Sequence, residues 1–355
     1  MVIGACGFGS TGSSVVTDYL KEYDHIKVED DFEFTWVTRT DGLIDLERSL
    51  MNPHGRTSDS ITAIRRFRAL EKRLERTYEM NGLSKETFRK LVDDFIRQIT
   101  MVEWNWYDSS VSTKFTPKSI AKYIMKKKVI PKFEVRAGHQ INCWPMEPVC
   151  FSVNPTNFYS EASKLVQKML EEMGFNQNNV IALDQPFSGN NPQVCFPFFH
   201  DPYAIVVDRD PRDNYVFART KLLGKNHFMA VEPVEDFIKY YRALRDGQPY
   251  LQQNERVLCI KFEDMVYEYE DTTKKLREFL NLSENPRPKS IFNPELSKAN
   301  TQVFRRFPQF LEDIKKIEAA LPEYLFDFSK YPEPEPNAQM FYGKSPLNPG
   351  KQRKQ

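Results

Sequence analysis

Residues 1–20 read Met1-Val2-Ile3-Gly4-Ala5-Cys6-Gly7-Phe8-Gly9-Ser10-Thr11-Gly12-Ser13-Ser14-Val15-Val16-Thr17-Asp18-Tyr19-Leu20, and this stretch decides the fold. The short apolar run over residues 1–6 reads as a buried strand. From residue 11 onward, Val15, Val16, Tyr19 and Leu20 recur at helical spacing. A glycine-rich segment between strand and helix turns its backbone N–H groups, with the positive end of the helix dipole, toward an anion. Gly7, Gly9 and Gly12 allow a ligand to approach the main chain closely. The candidate contacts are Gly7, Phe8, Gly9, Ser10, Thr11, Gly12, Ser13 and Ser14. The spacing is that of a nucleotide P-loop, G-x-x-x-x-G, but Ser13 stands where a Lys would reach the β- and γ-phosphates. A hydroxyl without charge disfavours a triphosphate and γ-phosphoryl transfer, and suits a less charged 5′ group. The alternative is a glycine turn of a doubly wound sheet that holds no ligand.

Working outward, the next decisive run is Tyr203-Ala204-Ile205-Val206-Val207. Continuous apolar residues without alternation predict a strand buried on both faces, as a parallel sheet requires. It leads into Asp208-Arg209-Asp210-Pro211-Arg212-Asp213, where Pro211 suits the first position of a helix. Arg209 therefore stands at the carboxyl end of a central strand, the edge where open α/β sheets bind ligands. A guanidinium there either recognises phosphate bidentately or pairs with Asp210 or Asp213. Between the two runs, residues 157–173 place Ala162, Leu165, Val166, Met169 and Leu170 on one helical face, and Gly174 ends the helix. The strand predicted at residues 179–184 follows, and this βαβ alternation implies a parallel sheet.

Strand, P-loop-like turn, helix and a later strand ending in R-x-P-R-D resemble the sulfotransferases that use 3′-phosphoadenosine 5′-phosphosulfate (PAPS). The resemblance covers most of the chain. It implies an α/β three-layer sandwich with a central parallel sheet and a P-loop-like architecture, as one sulfotransferase domain over residues 1–330. It further implies that residues 9–14 cradle the 5′-phosphosulfate and that Arg209 binds the 3′-phosphate. Residues 256–264 are similar to the family's strand ending in a Glu-Asp pair, and residues 273–282 to the helix that follows. Ser297-Lys298-Ala299-Asn300-Thr301, with Arg305 and Arg306, resembles the late loop that closes over the nucleotide. Asn300 and Arg305 thereby become candidate cofactor contacts. Three features depart from the pattern. Ser10 stands where many members carry Lys or Arg, and Phe217 where many carry a Ser that contacts the 3′-phosphate. Asp184 and Gln185 end the strand that carries a catalytic His in cytosolic small-molecule members.

Sulfuryl transfer resembles phosphoryl transfer: in-line positioning and charge stabilisation dominate, a base takes the acceptor proton, and no metal is needed. Asp184, at a strand end, is the first candidate for that base. Carbohydrate-sulfating relatives carry a catalytic Glu shortly after the first helix, and Glu33, within Glu29, Asp30, Asp31 and Glu33, matches that placement; a solvated acidic cluster is the alternative. His54, in the turn-rich Asn52-Pro53-His54-Gly55-Arg56, ranks third, with His139 beside it. The five Cys are scattered singly with no metal-ligand spacing, which fits a reducing compartment.

A formal charge of +1 over 355 residues supplies no global field for nucleic acid. No run reaches membrane-span length, and the apolar start lacks a basic flank, so neither anchor nor signal peptide is expected and the cytoplasm is favoured. A helical insertion is expected at about residues 47–130. Ile61, Ile64, Phe67, Leu70 and Leu74 mark one helix; Phe88, Leu91, Phe95, Ile99 and Val102, behind a Ser84 cap, mark a second; a third is expected at residues 116–128. Trp104, Trp106, Tyr107 and Trp144 either stack on the sugar rings of a carbohydrate acceptor or fill the core. Residues 331–355 form a Pro-rich, basic tail expected to be mobile. Sulfation of a carbohydrate or glycan-like hydroxyl is the leading reading. A P-loop kinase using ATP and a non-catalytic nucleotide-binding scaffold are the alternatives.

Overall fold

A computed structural model describes residues 1–52, 57–106, 147–176, 179–222, 229–246, 255–335 and 337–341, with residues 117, 121 and 124 besides. In chain order the elements are β1 (Val2–Gly7), α1 (Ser14–Leu20), β2 (Ile26–Glu29), α2 (Leu43–Met51), α3 (Thr57–Met80), α4 (Lys85–Ile99), β3 (Val102–Trp106), β4 (Glu147–Phe151), α5 (Phe158–Glu172), β5 (Val180–Asp184) and β6 (Pro202–Asp208). They continue with α6 (Pro211–Phe217), α7 (Val234–Ala243), β7 (Val257–Lys261), α8 (Phe262–Tyr267), α9 (Tyr269–Leu280), α10 (Pro294–Ser297) and α11 (Leu311–Ala320). The chain divides into two compact units, one of Met1–Arg39 and Val166–Gln355, the other of Thr40–Leu165.

The first unit is built on a parallel five-stranded sheet in the order β2-β5-β1-β6-β7. Strand β1 is central because both its faces are apolar. Ile3 and Ala5 join Ala182, Ile205, Val207, Leu258 and Ile260 in one cluster with Val15, Val16, Tyr19 and Leu20 of α1 and Leu276 and Leu280 of α9. The alternate residues Val2, Cys6, Leu183, Ala204 and Val206 are equally buried on the other face. Gly4 belongs to that face, and an added Cβ would run into the ring of Phe187. Each buried Val, Leu or Ile among them contributes about 1.5–3 kcal/mol, which is why continuous apolar runs select the centre of a two-sided sheet. This α/β architecture, a parallel sheet flanked by helices, is the one expected from the sequence.

The connections fix where a ligand can enter. After β1 the chain crosses to β2, with β5 between them; after β5 it crosses β1 to reach β6 on the other side. The direction of winding reverses at β1, so its carboxyl end opens a crevice between β5 and β6. Register aligns the ends, with Ala5 opposite Asp184 and Gly7 opposite Val207.

The second unit is helical with a small ribbon. Ile61, Ile64, Phe67, Leu70 and Leu74 are buried along α3, and Ser84 caps α4 by accepting the Thr87 N–H at 3.1 Å. Helix α4 stops at Ile99, because Thr100 is extended. Val102 therefore opens strand β3 instead of continuing the helix, and its side chain is exposed. β3 pairs antiparallel with β4, and Trp104 and Trp106 share one ribbon face with ring centroids 6.2 Å apart. Tyr107, His139, Trp144 and most of the helix expected at residues 116–128 lie outside the described residues, as does His54.

Candidate functional site

The glycine segment folds as a loop off the end of β1. Gly9, Ser10 and Gly12 have φ of 86°, 55° and 85°, the left-handed region that glycine tolerates and Ser adopts only under constraint. At Gly12 an added Cβ would stand 2.7 Å from the Phe262 ring, so glycine is required on two counts. Thr11 Oγ1 accepts the Phe8 N–H at 3.3 Å and braces the turn from inside. Among the described residues, the N–H groups of Ser10, Thr11, Gly12, Ser13 and Ser14 donate to no protein acceptor. The Ser10 hydroxyl is buried without a partner. A concave run of unsatisfied donors is the arrangement an anion satisfies.

The loop is held from outside by three side chains. Asn214 Nδ2 donates to the Gly9 carbonyl at 3.1 Å, and Arg209 Nη1 to the Ser10 carbonyl at 3.3 Å. Gln185 spans the loop's two ends: its Oε1 accepts from Gly7 N at 3.2 Å, and its Nε2 donates to Ser13 Oγ at 2.8 Å. Gln185 itself has φ of 52° as the chain leaves β5.

The segment after β6 organises the other half of the site. Asp208 takes a fork from Arg245, at 2.9 Å to Nε and 2.6 Å to Nη2, and the Arg245 guanidinium lies 4.1 Å from the Phe8 ring centroid. Arg209 is 3% exposed; its Nη2 donates to the Asn300 carbonyl, and its guanidinium lies 4.6 Å from the Phe217 ring and 4.9 Å from the Phe262 ring. Its Nε is buried without a partner. Arg209 thus pairs with neither Asp210 nor Asp213 by hydrogen bond. Asp210 holds Arg212 instead, through Nε at 2.9 Å and Nη2 at 2.7 Å, and also accepts the Phe326 N–H at 2.8 Å. The two arginines of R-x-P-R-D consequently have different duties: Arg212 stiffens the turn, and Arg209 reaches the glycine loop.

Beneath Arg209 lie two buried carboxyls. Glu263 accepts the Asp210 N–H at 3.1 Å, and Asp213 accepts the Phe304 N–H at 3.1 Å. Burial, then the Asp210 charge, pushes the Glu263 carboxyl up to about 8. Burial also raises Asp213, to about 6, against the opposing pull of Arg209. The Glu263-Asp264 pair sits in the first turn of α8, not at the end of the strand as the sequence suggests.

The late loop and tail complete the edge. Asn300 is 7% exposed, and its side chain is engaged twice by Phe341, donating to the carbonyl at 2.8 Å and accepting the N–H at 3.0 Å. Gln302 Nε2 donates to the Pro332 carbonyl at 2.9 Å, so the described tail, through Phe341, is tied to this loop. Arg305 points to the surface, where it pairs with Glu333. Its neighbour Arg306 points inward, donating to the Ala338 and Ala299 carbonyls at 2.6 and 2.5 Å. Burial lowers the Arg306 pKa, and nearby Asp213 opposes this.

Of the base candidates, Asp184 ends β5 beside the loop, and Phe34 N donates to its carbonyl at 2.8 Å. That bond brings the exposed Glu33 to the same edge. Asp30 is committed to Lys21 and to Thr17. Burial pushes the thiols of Cys6, Cys195 and Cys259 up, the opposite of what a thiolate nucleophile needs. Asn214 and Arg245 carry no sequence signal, and Gln185 reads in the sequence only as the amide that ends its strand; the three hold the site through contacts at sequence separations of 205, 37 and 172 residues. The one available hint was Asp208, a carboxylate at a buried strand end that calls for a cation.

No family model matches the chain, and no curated protein matches it. Among solved structures it is similar to the sulfotransferase domain from the curacin biosynthetic pathway, at 12% identity and a TM-score of 0.37, over 81% of this chain and 75% of that one. It is also similar to sulfotransferase STF9 from Mycobacterium avium, at 12% identity and a TM-score of 0.35, over 92% of this chain and 76% of that one. Scores this low leave the activity to the geometry of the site itself. No helix among the described residues is long and apolar enough to cross a membrane.

Proposed function

We propose that the chain is a sulfotransferase that moves a sulfuryl group from PAPS to a hydroxyl of a carbohydrate or glycan-like acceptor. The observation that carries this reading is the contact between Arg209 and the glycine loop, at 3.3 Å from Nη1 to the Ser10 carbonyl. It places a buried guanidinium against a run of unsatisfied N–H donors, a fit for one ligand with anionic groups at two points. The unpartnered Ser10 hydroxyl and Arg209 Nε add donors of the same kind. When bound, PAPS would supply the activated sulfuryl group.

The chain's own residues divide the remaining work. The N–H groups of residues 9–14 and the Ser13 hydroxyl hold the 5′ end and stabilise the charge that gathers there. Arg209 holds the 3′-phosphate, with Asn300 and the late-loop arginines at its side; Arg306 faces inward on the Ala299 and Ala338 carbonyls, whereas Arg305 pairs with Glu333 at the surface. Asp184 takes the acceptor proton, with Glu33 next and His54 third among the candidate bases. The carbohydrate class is supported by the exposed Glu33, which the Phe34 N–H bond to the Asp184 carbonyl holds at the sheet edge.

Arg209, with both Nη groups on carbonyls and Phe217 against its face, favours a second reading, a nucleotide-binding scaffold without turnover. One experiment separates the readings. Adenosine 3′,5′-bisphosphate should raise the melting temperature, and labelled sulfate should pass from PAPS to a member of a carbohydrate panel. Binding without transfer would favour the scaffold, and turnover of ATP with Mg²⁺ would favour a kinase.

A further inference from the structure

We propose that Gln185 is a positioning residue that sets the direction of the Ser13 hydroxyl, turning its proton toward the anion held by the loop. The inference rests on the reading of residues 7–14 as an anion-binding loop and names a part of that site outside the glycine segment.

A backbone N–H only donates, so the atom of Gln185 that faces Gly7 N at 3.2 Å must be the amide oxygen. The amide nitrogen is thereby forced onto Ser13 Oγ, at 2.8 Å. An amide nitrogen only donates, so Ser13 Oγ accepts there with a lone pair and its own O–H must point elsewhere. Among the described residues Ser13 Oγ has no other hydrogen-bond partner. Its proton is left aimed away from Gln185, beside the unsatisfied N–H groups of Ser13 and Ser14. Polarity thus passes from Gly7 through one amide to a serine at the opposite end of the loop. Ser13 is 8% exposed, so water competes little for that proton.

Two substitutions separate this role from simple bracing. Gln185→Glu keeps an oxygen for the Gly7 N–H, but its second oxygen accepts from Ser13 and reverses the hydroxyl. Gln185→Met fills the space and removes both bonds. Each is made alone and in a Ser13→Ala background, and the affinities for adenosine 3′,5′-bisphosphate and for inorganic pyrophosphate are measured by titration calorimetry. The expectation is a loss of about threefold for Gln185→Met with Ser13 present, because the hydroxyl is left undirected among its staggered orientations, and little further loss in Ser13→Ala, where no hydroxyl remains to direct. Gln185→Glu adds repulsion that persists in both backgrounds, and its penalty is still expected to shrink when Ser13 is absent. If Gln185→Met does not fold, the Gln185→Glu pair supplies the same comparison. Equal penalties with and without Ser13 would overturn the inference while leaving the sulfotransferase reading intact. Binding of pyrophosphate but not bisphosphate, with the same coupling to Ser13, would keep the inference and overturn PAPS as donor. A wild-type protein that binds neither probe would overturn both.

Discussion

The two halves of the site are built from different materials. Residues 7–14 are held through main-chain dipoles: carbonyls capped by Asn214 and Arg209, and the single neutral amide of Gln185 bridging the two ends. The segment from Asp208 to Asp213 is held by buried ion pairs, Arg245 on Asp208 and Arg212 on Asp210, with the carboxyls of Asp213 and Glu263 below Arg209, both raised by burial. A dipole-built loop can release its donors to a ligand at small cost to the fold. A buried ion network cannot lose a member without stranding a charge. Substitutions in the two halves should therefore fail in different ways: the first chiefly in binding, the second chiefly in folding, with Arg209, the member that reaches the glycine loop, read out in binding.

The largest stability effect is expected at Asp210. Asp210→Ala strands Arg212 among apolar rings and should cost about 3–5 kcal/mol, read by denaturant unfolding. A loss under ~1 kcal/mol would mean that Glu318 and the Phe326 carbonyl suffice to hold Arg212. Gly12→Ala comes next, because it forces a side chain into left-handed backbone against Phe262; about 1–2 kcal/mol is expected, together with loss of nucleotide binding. Full binding would show that the loop does not need this geometry.

Glu263 gives a pH signature. Its folded pKa of about 8 lies above the ordinary carboxylate value, so the folded state holds more protons between roughly pH 4 and pH 8, and stability falls as pH rises through that window. Glu263→Gln keeps an acceptor for the Asp210 N–H and should flatten the fall, which melting curves between pH 5 and pH 8.5 would record; an unchanged slope would assign it to another group. Asp184→Asn should disturb stability least, by less than about 0.5 kcal/mol, while lowering turnover by ~100-fold with nucleotide affinity kept. Unchanged turnover would move the proton acceptor to Glu33 or His54.

What the sequence made legible were features with a local period or a fixed spacing. Residues 1–6 and 203–207 showed their strands because both faces of each are buried. Pro211 marked its helix because a first-turn position needs no N–H. Arg209 was located by the strand that ends just before it. The arrangement around these residues was not legible, since it depends on partners far apart in the chain. Gln185 reads only as the amide that ends its strand until β5 is laid beside β1 and the Gly7 N–H comes within its reach. Arg305 and Arg306 are indistinguishable in the sequence; only the turn of Val303–Arg306 sends one to Glu333 and the other inward. Val102 continued a helical period by coincidence, and the extended backbone of Thr100 redirected it.

The most direct test is titration calorimetry of adenosine 3′,5′-bisphosphate and adenosine 5′-monophosphate into the wild type and Arg209→Ala. A single nucleotide gripped by the loop and by Arg209 predicts that the substitution weakens the bisphosphate by about 100-fold and the monophosphate only slightly. Equal losses for the two ligands would contradict the account.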